Sequence, residues 1–455
     1  MSPTRSHVIV PVAAALCATV IAAGCSTAAK TATAPAVSAA ASSGAPAPAA
    51  AGSSAPAAPA AAGAKVTVTM WGTYGNGGNK AQTDALTQTI IPAFAKLHPD
   101  ITVTYVDVPY DSLLQKLTTG AAGGKLPDLV RSDLTWVPKF ASLGVFAPLD
   151  TAMPGFAALA AGTYPGALAA NKWNGHYYGL PLDTNTRVLI SNQKALTAAG
   201  ITAPPTTFAQ LSTDAAALKG KKVSIFADSG LQAWNILPWI WSGGGELANP
   251  GLTTATGYLN GAKSVAAVQM LVGLYKAGAI PNLLIGNKGA TSTQDGLPKG
   301  AYAGVFDGPW MHDIWSAQYA SFAPTYSPIP AGAGGSVSVV GGEDIVMTTS
   351  SRQQAADKAF IAFTQTSTYQ LAMAKTGQMS EVSGLGAQEA ALVPYLAPFI
   401  TQLRTAKSRP AVPDAPQIDK ALANDLTPAF QGTTTVQAAL DKAAKDIDPL
   451  LTATR

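Results

Sequence analysis

The stretch KVTVTMW, residues 65–71, alternates apolar and polar side chains at the two-residue period of a half-buried strand. A glycine-rich loop, GTYGNGGN (72–79), follows it. From Lys80 to Leu97, the residues Leu86, Ile90, Ile91, Phe94 and Leu97 recur mostly at steps of three and four, the period of an amphipathic helix. Pro92 inside that run predicts a kink. ITVTYVDV (101–108) reads as a second strand. A helix is expected from about Asp111 to Ala121, with Leu113, Leu114 and Leu117 inward. GGKLPD (123–128), a short apolar strand at Leu129–Val130 and a helix ending near Leu143 complete the unit. Strands alternating with helices of this length predict an α/β sheet with parallel crossovers.

The pattern resumes beyond Tyr177. Strands are expected at 188–190, 223–226, 301–306 and 345–347. Helices are expected at 208–218, 232–241, 263–277, 354–366 and 436–451, and the chain is mostly helical from Arg352. Towards the N-terminus the composition changes. Residues 26–63 contain 19 alanines and 5 prolines among 38 residues, with Lys30 as their one charge. Repeated Ala-Pro pairs interrupt any helix, and no packed core can form. Such a spacer spans roughly 35 Å as a flexible coil and about 120 Å as polyproline II.

Residues 1–24 read as a secretory signal, with Arg5 in the positive region and an apolar run from Val8 to Ile21. Ala22, Ala23 and Gly24 precede Cys25. This resembles a bacterial lipobox, with Ala22 standing where Leu is usual. An ordinary signal with an incidental cysteine is the alternative. Acylated Cys25 would anchor the mature chain to a membrane face without spanning it.

The 455 residues suffice for two or three domains. Twenty-nine basic and 25 acidic residues give a net charge of +4, with no basic stripe for nucleic acid. Both cysteines, Cys17 and Cys25, lie near the start. The remainder therefore has no disulfide, thiol nucleophile or cysteine-based metal site. His7, His98, His176 and His312 are dispersed, which argues against a histidine-rich metal centre. No metal or cofactor is expected.

Several stretches, taken in order, carry a resemblance: IPAF (91–94) with HPDITV (98–103), GKLPD (124–128) before Arg131-Ser132-Asp133, GVFAPL (144–149), YGLP (178–181) before Asn192, and FDGPW (306–310). Across nearly all of 64–455 the chain resembles the extracellular sugar-binding proteins of ABC importers, of the maltose-binding-protein-like type. The resemblance implies a two-lobed periplasmic-binding-protein-like fold (type II) with a three-crossing hinge. Carried onto this sequence, the crossings fall near Pro181–Asn185, Lys299–Ala303 and Val340–Asp344. The N-terminal lobe is then 64–183 with 303–342, and the C-terminal lobe 184–302 with 343–455. The implied activity is capture of a sugar or oligosaccharide, with a maltooligosaccharide as first guess. Delivery would be to ABC permease subunits from a lipid-anchored monomer on the extracellular or periplasmic face.

Sugar sites pair aromatic faces with planar hydrogen-bonding groups. By resemblance Trp310, emerging at a strand end, is the stacking residue, and Trp234 faces the cleft. Trp71 closes the first strand and could line it. Trp239 and Trp241 are assigned to core or rim, and Trp136, Trp173 and Trp315 to structure. Asp133 occupies a hydroxyl-acceptor position, with Arg131 as a possible partner; a helix cap is its alternative role. Asp183 and Asn185 lie in the first crossing, Asn185 where the family often carries Glu. Glu343 and Asp344 follow two glycines at the third. Asn76 and Asn79 could reach the ligand from the first loop. The GQMSEV segment (377–382) departs from the family's proline-containing loop.

Two other functions compete. Asp133, Asp183 and Glu343 could converge as the carboxyl pair of a glycosidase. Clustered carboxylates with aromatics would also suit a polyamine.

Overall fold

The structure, a computed structural model, describes residues 65–75, 79–286 and 289–452. The expected signal peptide (1–24), the expected lipidated Cys25 and tether (25–63), and Asn76 lie outside the described residues.

Strand β1 (Val66–Gly72) has Val68 and Met70 fully buried, as its alternation requires. It pairs in parallel with β2 (Ile101–Asp107) on one side and β3 (Leu129–Asp133) on the other. Parallel neighbours need crossovers, and helices supply both. The first runs as Lys80–Asp84, a wide π turn over Ala85–Ile90, and Ile91–Leu97; the second is Tyr110–Gly123. The expected break at Pro92 takes the form of that π turn. Its extra residue makes room where proline has no N–H and its ring would strike the preceding turn.

Strand β4 (Gly179–Thr186) and the antiparallel β5 (Val188–Ser191), β6 (Gly304–Asp307) and β7 (Thr325–Ser327) follow. The last three form a small sheet ordered β6-β5-β7. Strand β8 (Val339–Met347) and the short β9 (Lys407–Ser408) complete the large sheet, ordered β9-β8-β3-β1-β2, with β4 on the other edge of β8. The stretch 223–226, expected as a strand, makes only isolated bridges. Its backbone bonds alternate between Ala301, Ala303 and Ala279, so no continuous ladder forms.

Two cores divide the chain. One gathers Met70, Phe94, Leu129, Leu180, Ile345, Phe360 and Tyr369. The other gathers Leu189, Phe226, Trp239, Phe306, Val339, Leu422 and Leu440. The expected lobe boundaries are therefore corrected. Residues 303–340 belong with the second lobe: β6 and β7 pair with β5, Met311, Ile314 and Trp315 pack with Val305, and Ile329, Val337 and Val339 lie in the second core. Residues 343–374 belong with the first: β8 pairs with β3, and the helices Gln354–Thr364 and Ser367–Ala374 pack on Phe94 and its neighbours. The chain leaves the first core between β4 and β5, at Arg187. Lys299–Ala303 is not a crossing, since Leu297, Tyr302 and Ala303 all pack in second-lobe clusters. After Met373 in the first core, the chain passes to Met379 in a cluster with Val305 and Trp315.

Among the described residues, no helix is long and apolar enough to cross a membrane, and no group of three or more His, Cys, Asp or Glu side chains could hold a metal ion.

Candidate functional site

The carboxyl end of β3, the junction of β4 and β8, and the segment after β6 open onto one cavity of about 650 Å³ between the two cores. Asp133, Asn185, Trp234, Trp310 and Glu343 all line it. Three other expected residues, Trp71, Asp183 and Asp344, do not. Trp71 packs against the cluster of Leu113 and Phe140, and Lys116 Nζ sits 3.9 Å from its ring centroid. Asp183 lies beneath the surface, held by Arg131.

One wall is aromatic. Trp234, from the helix Ala233–Ser242, and Trp310 stack with ring centroids 6.2 Å apart and planes at 28°. Each indole rests on a glycine. A Cβ at Gly308 would lie 2.1 Å from the Trp310 ring, and one at Gly341 would lie 2.6 Å from Trp234. The Trp310 side chain also hydrogen-bonds Asp307. Arg187 fixes the other ring from behind. It is fully buried, donates to the Trp234 carbonyl at 3.0 Å and to Asp228 at 2.6 Å, and places its guanidinium 5.7 Å from the ring centroid.

The opposite side is polar and organised by two other arginines. Arg131 donates to Thr73 Oγ1 at 2.5 Å, lies 2.8 Å from Glu343 Oε2 and 3.3 Å from Asp183 Oδ2, and stacks over Tyr74. The expected Arg131–Asp133 pairing is corrected. The Asp133 carboxylate turns instead to Thr135, accepting from its N–H at 2.8 Å and its hydroxyl at 2.5 Å. It also accepts from the Tyr110 hydroxyl at 2.7 Å and Arg409 Nη2 at 3.2 Å. Asp344, one residue after Glu343, points away from the cavity and accepts from Asn171 Nδ2 at 2.7 Å.

These surroundings set the protonation of the site. Burial alone would raise Asp133, but Arg409 and the bonds from Thr135 and Tyr110 outweigh it and hold the carboxyl below the usual range. Burial pushes Glu343 well above that range against the pull of Arg131, and the adjacent Asp183 pushes it the same way. Two carboxylates therefore share one guanidinium. Holding one proton between them leaves the triad neutral.

Burial also lifts Asp307, up to about 6, against Arg187. A carboxyl raised on folding stabilises fully below its unfolded pKa and loses that contribution as pH rises through 6. The Asp307→Asn variant keeps an oxygen for the Gly308 N–H and Trp310. Its thermal midpoint is expected to fall less than the wild type's between pH 5 and pH 8; equal falls would refute this assignment.

Besides Glu343 Oε2, whose charge Arg131 meets at 2.8 Å, four buried polar atoms on the cavity's lining residues have no hydrogen-bond partner among the described residues: Asn79 Nδ2, Asn185 Oδ1, Gln378 Oε1 and Arg409 Nε. Each such atom costs about 1–3 kcal/mol, which a ligand hydroxyl can recover. Gln378 brings the GQMSEV segment to the site. Sequence reading missed Tyr110, Arg187, Arg409, Asp307 and Asp419, and assigned Trp136, which also lines the cavity, to structure. An arginine before a proline was the only local signal at Arg409.

Residues 77–371 match the family described as bacterial extracellular solute-binding protein. A Brucella abortus (strain 2308) protein, a binding protein by name, is 27% identical over 393 residues, covering 82% of this chain and 91% of its own. The GacH receptor of Streptomyces glaucescens GLA.O, solved unliganded and with acarbose, superimposes with a TM-score of 0.75 at 24% identity, covering 86% of this chain and 99% of that one. A lipoprotein of Streptomyces antibioticus is 30% identical over 120 residues, 26% of each chain.

Proposed function

The chain belongs to the bacterial extracellular solute-binding proteins, and from that premise we propose that it captures an uncharged sugar or oligosaccharide between its lobes and hands it unaltered to an ABC permease. One observation carries this reading: the stacked Trp234–Trp310 wall faces a floor where Asp133 and Glu343 are ion-paired and where amide groups and a guanidinium Nε lack partners. Apolar sugar faces suit the indoles, and hydroxyls suit the unpaired donors and acceptors. Acarbose bound to the GacH receptor supports the class, and a maltooligosaccharide is the first compound to test.

A polyamine fits this cleft less well. Its ammonium groups need free carboxylates, whereas Asp133 is paired to Arg409, Glu343 and Asp183 to Arg131, and Asp307 and Asp419 accept from the Gly308 and Ala233 N–H groups, which leaves the exposed Asp111. Cleavage of the sugar is likewise disfavoured, since the family is one of solute-binding proteins. The lipid anchor at Cys25 is part of the proposal, supported by the Ala22-Ala23-Gly24-Cys25 stretch and by the lipoprotein among the relatives.

Tryptophan fluorescence and calorimetry with maltooligosaccharides, and with spermidine for comparison, test the reading. Saturable binding of a saccharide that chromatography then recovers at full length is expected. Binding of spermidine alone, or recovery of shortened sugar, would overturn it. Mass spectrometry of the native protein should find an acylated N-terminal cysteine; an unmodified Cys25 removes the anchor.

A further inference from the structure

Strand β8 is clamped on one edge by two different strands. Val339 and Val340 pair with β9, and Glu343 to Met347 pair with β3. Between these stretches lie Gly341 and Gly342. Gly342 has φ of +146°, a region that side-chain-bearing residues rarely adopt, and a Cβ there would lie 2.4 Å from the Asp183 carbonyl. On that edge the ladder is interrupted at the glycine pair, where the backbone can bend at least cost.

Two charged residues flank the interruption. Asp133 is the last residue of β3 and sits opposite Glu343. Arg409 is the first residue after β9. The two ends are fastened to different lobes. Asp133 is tied by Thr135 and Tyr110 to first-lobe structure. Arg409 follows Lys407, which bonds the Ser338 carbonyl at 2.9 Å, and it precedes Val412 and Ala415 in the second core. Its guanidinium lies 5.3 Å from the Trp234 ring centroid and reaches Asp133 at 3.2 and 3.3 Å. The side chains are 8% and 6% exposed, so little water screens the pair.

We infer that Arg409 is a positioning residue that clasps the two lobes across the Gly341–Gly342 bend, holding Asp133 in its ligand-facing pose and biasing the solute-free protein towards closure. The inference rests on the cleft being a solute site. Opening about the glycine pair draws the two side chains apart. The closed state is therefore favoured by a contact that needs no ligand, and a solute meets a lobe arrangement already partly selected. Removing one partner leaves the other charge buried and uncompensated in the closed form, which shifts the balance to the open one.

The test measures the ligand-free distance between the lobes. Spin labels are placed at Lys125→Cys and Lys219→Cys, exposed positions on the first and second lobe, in the full chain with Cys17 and Cys25 changed to serine. Arg409→Gln and Asp133→Asn are each expected to move most of the distance distribution to longer values. Arg409→Lys keeps the charge and should retain most of the short component. Affinity for a bound saccharide should fall at least tenfold in Arg409→Gln and recover partly in Arg409→Lys. A distribution unchanged in both Gln and Asn variants overturns the clasp. If Arg409→Gln does not fold, Asp133→Asn and Arg409→Lys decide by the same distance. Absence of saccharide binding in the wild type would sink the proposed function instead, while the ligand-free distances would still decide whether the clasp exists.

Discussion

Arg131→Met is expected to lower stability by about 3–5 kcal/mol, because it strips the cation from a carboxyl pair of which Asp183 is fully buried and Glu343 largely so. Asp183 is 2% exposed, and Glu343 is held 2.8 Å from the same guanidinium. Tyr74 and Thr73 would lose their shared partner as well. In a folded unit of this size the thermal midpoint should drop by roughly five degrees. The loss has a definite pH sign. Folding raises both carboxyls, chiefly by burial. Such groups contribute fully below the unfolded carboxylate pKa, near 4, and lose that contribution as pH rises through their folded values. Without Arg131 the folded values climb further, so the penalty grows with pH. Denaturation of both proteins at pH 5 and pH 8 should show the smaller difference at pH 5. An equal difference at both pH values would mean that packing, and not the carboxylate pair, is what Arg131 supports.

The same triad shows where sequence reading stopped. Periodicity located β1, β2 and the helices around them, because alternation and three-to-four spacing are properties of a single segment. It also placed Trp310 at a strand end, where α/β clefts open; Glu343 was reached only through the resemblance, and it lies inside β8. Which carboxylate meets which arginine is another matter. Arg131 and Asp133 are two residues apart on one strand, yet they pair with Glu343 and Arg409, and the latter lies 276 residues away. That choice depends on how β8 runs past β9 and then β3 along one edge, which no local pattern records. Lobe assignment failed for the same reason. Residues 303–340 and 343–374 each suit either lobe by pattern, and only the antiparallel pairing of β6 and β7 with β5 and of β8 with β3 decides. Trp71 shows the converse limit. A tryptophan ending a first strand satisfies the pattern for a cleft wall, but strand alternation turned its ring towards Lys116. Arg187 carried no signal at all, since its value comes from a carbonyl, a carboxylate and an indole on three separate segments.

The indole pair gives the largest expected effect on binding. Trp310→Ala removes one of two faces on which a sugar ring would lie, and truncating a buried tryptophan at a binding centre costs about 2 kcal/mol or more. That is a loss of affinity of about 30-fold or greater. Trp234→Ala should cost a similar amount, and the double variant less than the sum, because the two rings order one another at 6.2 Å. The glycines beneath them provide a test that leaves both rings in place. In Gly341→Ala the new methyl would lie 2.2 Å from Asn185 Oδ1 and 2.6 Å from Trp234. In the closed arrangement Gly341 stays paired with Asn185 of β4, so the side chains around the new methyl give way before that ladder does. The indole must move instead, and Asn185 with it. Calorimetry should show affinity falling by at least tenfold while the far-ultraviolet spectrum stays unchanged. Wild-type affinity in Gly341→Ala would mean that the Trp234 ring does not touch the solute, and the binding wall would then have to be drawn around Trp310 and Trp136 alone.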